Sequence, residues 1–366
     1  MSESHPLIFA KPHVLLRLFV TNKNLGFLYS LKIIFLFFLS LLNTPIRLLD
    51  SLFFTKKVEN TLVHESPLFV LGHWRSGTTF LQTLLSKDTQ FGFLNGYQAF
   101  MPGLEFVNSK LIYKILDLAV PKKRQMDNMP RGLTIPEEEE FALTATTNMG
   151  SYNSLWFPKN ETYFYKFNLF EGINSQELNL WKKSYTNLLK RVSLYTGKPR
   201  LVLKNPPNTA RIKVLLEIYP KAKFINIHRN PYDVYMSMKN MYNKSIAPHF
   251  LQKMSKEDVH EKIMQWYEKL MKKYIQEVNL IPQAQFYDIK YEEFILNPLK
   301  KLEQAYSTLN LDYSLVKDEF QKHLDSVANY KKNSFEMDNT TLEDINKRWA
   351  FSFLYFGYEM RSSNSV

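Results

Sequence analysis

The apolar positions between residues 67 and 86, PLFVLGHWRSGTTFLQTLLS, change period halfway along. Residues 68–71 are an uninterrupted apolar run of buried-strand type, whereas Phe80, Leu81, Leu84 and Leu85 recur at helical spacing. A strand, a tight turn and a helix are predicted in succession. Residues 200–238 extend the pattern: residues 201–203 and 224–227 read as strands, with Ile212, Leu215, Leu216 and Tyr219 on one face of an intervening helix. This is a βαβ unit. The chain then turns at Asn230 and Pro231 into another helix, leaving Arg229 at the strand's end and Ser237 about two turns in. Residues 285–289 read as a further strand and residues 298–309 as a helix. Thr340 and Glu343 form a capping-box pattern ahead of a last helix through 349–355, and residues 361–366 read as a frayed tail. The fold class is α/β, a parallel sheet flanked by helices.

Two stretches depart from that alternation. Residues 25–42, LGFLYSLKIIFLFFLSLL, are apolar apart from Lys32 and a few small or hydroxylated side chains. The run falls short of the roughly 20 residues that span a bilayer, and a central lysine costs about 2.5 to 3.5 kcal/mol on insertion. A helix at a membrane surface is expected, with contact spread over residues 13–57; a helix packed on the protein's own core is the alternative. Residues 1–60 are accordingly set apart from a main domain at 61–366. Residues 88–199 hold few strand patterns and several helical ones, and are expected to be a mostly helical insertion that forms an acceptor pocket. Within it, Pro136 and four glutamates, 137–140, read as a helix opening, with acids favoured by the helix dipole.

Composition narrows the classes. The 366 residues allow two domains, but both βα units belong to one sheet, which favours one. Cysteine is absent, so disulfides, thiolate metal sites and cysteine nucleophiles are excluded. A reducing cytosol fits, and the expected location is cytoplasmic, peripheral at the inner face of a membrane. The net charge of +12 is spread over scattered pairs such as Lys182 and Lys183, so an anionic small molecule, not nucleic acid, is the expected partner. Oligomeric state is not legible.

Gly72 and Gly77 have the spacing of the first half of a Walker-type phosphate loop, but Thr78 stands where the lysine would follow. Kinase chemistry loses its usual cation. Arg75 supplies one inside the loop instead, with a donor fork suited to an oxyanion, and Thr78 and Thr79 add hydroxyls. Carboxyl ends of parallel strands are where such sheets bind ligands, and Arg229 falls at one.

RSGTT at residues 75–79 and RNPYDVYMS at residues 229–237 together resemble the sulfotransferases that use 3′-phosphoadenosine 5′-phosphosulfate (PAPS). The resemblance runs over roughly residues 66–360 and implies a P-loop-like fold. It implies that Arg75, Ser76, Gly77, Thr78 and Thr79 hold the 5′-phosphosulfate, and that Arg229 and Ser237 hold the 3′-phosphate. Tyr291 is similar to the family's adenine contact, and Lys331 and Lys332 to its basic closing segment. It further implies PAPS as co-substrate, 3′-phosphoadenosine 5′-phosphate (PAP) as product, and no metal.

Sulfuryl transfer to a hydroxyl needs a base, cations for the transferring group, and in-line geometry. The cytosolic branch carries a histidine two places after a lysine; here Lys204 is followed by Asn205 and Pro206, so that base is missing. Bacterial relatives use a carboxylate in a Pro-x-Glu-acid-Glu pattern, which implies Glu138 as base, with Lys204 and Arg75 stabilising charge. Glu139, Glu140, His73 and His228 remain rivals. An aromatic content of 15% and the apolar N-terminus favour a small-molecule or lipid hydroxyl acceptor, such as a sterol. A glycan or phenol acceptor, a nucleotide kinase, and a non-catalytic nucleotide-binding membrane protein are the alternatives.

Overall fold

Among the described residues, four parallel strands run in the order β2-β1-β3-β4: β1 is Leu68–Leu71, β2 Val202–Lys204, β3 Lys223–His228 and β4 Phe286–Lys290. The computed structural model describes residues 5–22, 25–107, 110–120, 122–124, 126–127, 129–327 and 337–362. β1 is central, aligning Val70 with Lys204 on one side and with Ile225 on the other. It is apolar throughout because both faces of a parallel sheet are covered. Leu68 and Val70 join a core with Leu81, Leu85, Ile225, Ile289 and Tyr306. Phe69 and Leu71 alternate to the other face and join Leu203, Phe224, Leu215 and Trp349.

The chain leaves β1 through a loop into the helix Thr78–Leu85, and joins β2 to β3 through the helix Ile212–Ile218. Each strand lies within a residue or two of its expected place. Two helix starts differ. Pro136 does not open a helix, because backbone pairing holds the segment extended: Glu137 N–H donates to Leu94 O at 2.9 Å, and Gly96 N–H to Ile135 O at 2.9 Å. The helix begins at Glu139, with Glu138 as its extended cap residue. The final helix, Asn339–Phe356, starts ahead of the Thr340–Glu343 box because Asp338 accepts from Thr341 N–H at 2.8 Å.

The N-terminal helices are Pro12–Thr21, Phe27–Leu42 and Thr44–Glu59, the last two bent by 43°. Among the described residues no single helix is long and apolar enough to cross a membrane, although that bent pair passes the test together. The inner faces of the first two are part of the main core, where Val14, Leu18, Ile33 and Leu36 bury with Trp156 and Phe164. Polar ties reinforce this. Lys11 N–H donates to Ala145 O at 2.8 Å, Ser40 to Ala10 O, and Arg191 pairs with Asp50 at 2.5 Å. Packing is therefore continuous across residue 60.

Candidate active site

Gly72 turns the chain at the end of β1 with φ 138°, where a Cβ would lie 2.4 Å from Ile227 O of β3. Only glycine permits that approach. Arg75 is left-handed too, with φ 70°, a conformation unfavourable by roughly 1–2 kcal/mol for an L-residue. Its side chain is held from two directions: Nε donates to Ser237 Oγ at 2.9 Å and Nη1 meets Asp127 Oδ2 at 2.7 Å. Gly77, φ 99°, caps the following helix, and a Cβ there would lie 2.5 Å from the Tyr291 ring. Tyr291, which follows β4, thus closes directly on the loop. Arg229 lies over that ring, 4.7 Å from its centroid, and donates to Arg75 O at 3.2 Å.

The two motifs, 150 residues apart in the chain, are one structure. They line a cavity of about 640 Å³ that includes Arg75, Gly77, Thr78, Thr79, Arg229, Ser237 and Tyr291. Ser76 is buried and does not line it; its N–H donates to His73 O at 3.2 Å. Lys331 and Lys332 lie outside the described residues; Leu324 and Val327, shortly before them, line the cavity.

Sequence reasoning missed Arg124 and Asp127. Arg124 donates from Nη2 to Asp127 Oδ2 at 2.8 Å and from Nη1 to Thr79 Oγ1 at 3.4 Å. Asp127 therefore bridges Arg75 and Arg124, and although burial opposes its charge, the two guanidiniums hold its carboxyl below the usual range. Arg124 Nε and Arg229 Nε are buried without a hydrogen-bond partner. Buried donors left over beside a cavity suit an anionic guest, so the residue set fits a nucleotide carrying phosphate at two positions.

A second cavity of about 130 Å³ shares Arg75, Thr78, Thr79 and Arg124 with the first. Its remaining wall is largely apolar, with Trp74, Phe141, Leu155, Trp156, Met241 and Ile246, and Glu137 and Glu138 open onto it. Residues of the 88–199 segment, among them Phe141, Tyr152 and Trp156, supply part of this wall. The rest comes from the loop, from the segment after residue 240, and from Pro6.

The glutamates diverge sharply. Glu138 accepts from Lys204 Nζ and from Tyr152 Oη, which in turn accepts from Trp74 Nε1 at 3.0 Å. Lys204 itself lines neither cavity and reaches the site through this ion pair. Glu139 is fully buried; burial pushes its carboxyl up to about 8, only partly countered by Lys204 N–H, 3.0 Å away. Glu140, equally buried, is opposed by desolvation, but Arg211 at 2.8 Å, Asn205 and Ser151 N–H carry it below the usual range. Glu139 and Glu140 line neither cavity.

The histidines also turn away. His73 is buried against Trp74 and Tyr267, with Nδ1 2.8 Å from Trp74 O, and burial lowers it to about 4. His228 stacks on Phe356 at 4.4 Å, with Nδ1 3.1 Å from Tyr358 Oη. Neither lines the cavities.

The sulfotransferase family model matches residues 67–314, a span that includes both motifs, 75–79 and 229–237. The chain is 30% identical over 323 residues to the omega-hydroxy-beta-dihydromenaquinone-9 sulfotransferase Stf3 of Mycobacterium tuberculosis and of Mycobacterium bovis, covering 88% of this chain and 83% of the relative. Among solved structures, sulfotransferase STF9 from Mycobacterium avium superposes with TM-score 0.65 at 18% identity, over 85% of this chain and 82% of that one. Sulfotransferase STF1 from Mycobacterium tuberculosis gives 0.61 at 19%, over 92% and 90%. These likenesses support the same fold, and with the family match they establish that the chain belongs to the sulfotransferase family.

Proposed function

We propose that this enzyme moves a sulfuryl group from PAPS to the hydroxyl of an apolar lipid alcohol. The observation that carries the reading is the shared wall: a phosphate-suited cavity and an apolar, carboxylate-bearing cavity meet at Arg75, Thr78, Thr79 and Arg124. Arg229 and Ser237 hold the 3′-phosphate, Tyr291 the adenine, and Arg75 with residues 76–79 the 5′-phosphosulfate. PAPS supplies the sulfuryl group, whose bond to the 5′-phosphate oxygen breaks as the bond to the acceptor oxygen forms, leaving PAP.

Glu138 takes the acceptor's hydroxyl proton. Tyr152 and Lys204 fix its orientation by occupying both carboxylate oxygens, and Trp74 fixes Tyr152. Lys204 balances the carboxylate's charge, while Arg75 and Arg124 are placed to stabilise charge on the transferring group and leaving phosphate. The relative's acceptor, named for a chain-end hydroxyl on a dihydromenaquinone, supports an apolar alcohol here, as do the aromatic walls of the second cavity. Such an acceptor is met at a lipid surface, at the inner face of a membrane.

The test is transfer of labelled sulfate from PAPS to a lipid extract, run beside panels of phenols and glycans. Label in the lipid fraction is expected. Label confined to phenols or glycans overturns the acceptor assignment, and no transfer to any pool overturns the donor assignment as well.

A further inference from the structure

The three N-terminal helices present two unlike faces. Among the described residues, fourteen of the 24 exposed large hydrophobic side chains fall between residues 12 and 59, including Phe27, Leu28, Phe35, Phe38, Leu52 and Phe53. That concentration is far beyond the single scattered apolar residues that ordinary surfaces carry. The opposite faces are committed to the protein: Ile33, Leu36 and Ser40 are buried from Phe27–Leu42, and Asp50 and Val58 from Thr44–Glu59. Ser40 bonds Ala10 O, and Asp50 pairs with Arg191. Helices fixed to the protein along a mixed apolar and polar buried face can offer only their outer faces to lipid.

Charge selects the occupant. Among the described residues of this region the exposed cations are Arg17, Lys32, Lys56 and Lys57, while of its acids Asp50 is buried and Glu59 is exposed. Lys32 lies within the apolar face, beside Tyr29, and Lys57 beside Phe54, each a long side chain able to carry its ammonium to a headgroup. A second copy of the chain would bring like charges into an apolar contact. An anionic bilayer surface neutralises them while taking up the apolar side chains.

We infer that the outer face of Phe27–Leu42 and Thr44–Glu59 docks on the surface of an anionic lipid bilayer, seated in its interface and not spanning it. The inference extends the proposed lipid acceptor but does not depend on it. Pro6, just ahead of these helices, lines the acceptor-side cavity, and His5 contacts Trp156 in the same wall with ring centroids 5.3 Å apart. Docking would bring that cavity's N-terminal wall toward the phase in which a lipid alcohol dissolves.

The test is flotation of the full chain with vesicles of phosphatidylcholine alone and of phosphatidylcholine mixed with phosphatidylglycerol. Binding to the mixed vesicles, weakened by salt, is expected. Replacing Leu28, Phe35 and Phe38 by serine should reduce partitioning by roughly tenfold per side chain, and Lys32→Glu should reduce it on the anionic vesicles by about tenfold while changing little on phosphatidylcholine. Each variant should keep the thermal stabilisation by PAP, which shows that the fold and donor site survive. Absence of wild-type binding to anionic vesicles overturns the inference, as does undiminished binding by the triple variant. So does a dimer in solution that the serine substitutions split while vesicle binding persists. Failure here leaves PAPS-dependent transfer to a detergent-dispersed alcohol intact; failure of the acceptor proposal leaves vesicle binding intact.

Discussion

The proposed donor side and the proposed acceptor side of the site are built by different means. The donor side is made of backbone turns at strand ends, where Gly72, Arg75 and Gly77 adopt left-handed conformations and Arg229 and Ser237 come from one strand-to-helix junction. The acceptor side is made of side chains from separate segments, among them Trp74, Glu138, Tyr152, Trp156 and Ile246, and few of its contacts are local in sequence. Backbone cradles demand particular residues at fixed spacing; a packed apolar wall demands only volume and hydrophobicity. The first kind of site can be read from a chain of letters, and the second emerges when the chain folds.

The strongest way to break that comparison is Glu138→Gln, which keeps the shape of the acceptor side but removes its proton acceptor. Turnover should fall by about 10²- to 10⁴-fold with PAP affinity near wild type, read by steady-state kinetics and calorimetry. Full activity would remove Glu138 from the chemistry. Its neighbour provides the contrast. Glu140→Gln leaves Arg211 buried without its carboxylate and should cost about 3–5 kcal/mol in urea unfolding. Glu140 titrates lower in the fold than its ordinary value of about 4.3, so its contribution is present above that pH and lost as pH falls through the folded value. Glu139 has the opposite sign: held up to about 8, it favours the fold below about 4.3 and loses that contribution as pH rises through 8. Stability profiles of Glu139→Gln and Glu140→Gln should therefore flatten at opposite ends of the pH range.

On the donor side, Arg229→Ala should abolish the preference for PAP over adenosine diphosphate. Losing a charge-assisted contact costs about 1.5–3 kcal/mol, visible as a loss of the extra thermal shift that PAP gives. Equal shifts in the unaltered protein would refute the 3′-phosphate assignment. The smallest expected effect is a gain. Asp127→Asn takes a negative charge from between Arg75 and Arg124, so PAPS affinity should rise by a few-fold while stability without nucleotide falls slightly. A fall in affinity would make Asp127 part of the binding geometry.

Legibility follows the same division. The four strands and the helix between β2 and β3 were readable because period and glycine placement record backbone conformation, whereas the meeting of Arg75 with Arg229 and Ser237 was implied only by the family resemblance of their two motifs. Arg124 and Asp127 were not, since nothing local in residues 122–131 shows that the chain returns to Arg75 there. Three adjacent glutamates could not be told apart by type; the extended cap at Glu138 points it to the cavity while the helix turns Glu139 and Glu140 inward. The N-terminal apolar run was ambiguous between membrane and core because it serves the core on one side and is exposed on the other.

Because Arg75, Thr78, Thr79 and Arg124 belong to both cavities, the proposed donor and acceptor are neighbours across one wall and not successive tenants of one room. The reaction then needs no sulfated enzyme between two half-reactions. Double-reciprocal plots at several fixed donor concentrations should intersect, and the nucleotide product should compete with the donor while leaving the acceptor's place open, so that a slowly departing nucleotide traps the acceptor in a dead-end complex. A high lipid supply would in that case slow the enzyme, and the brake would come from the wall that makes transfer direct.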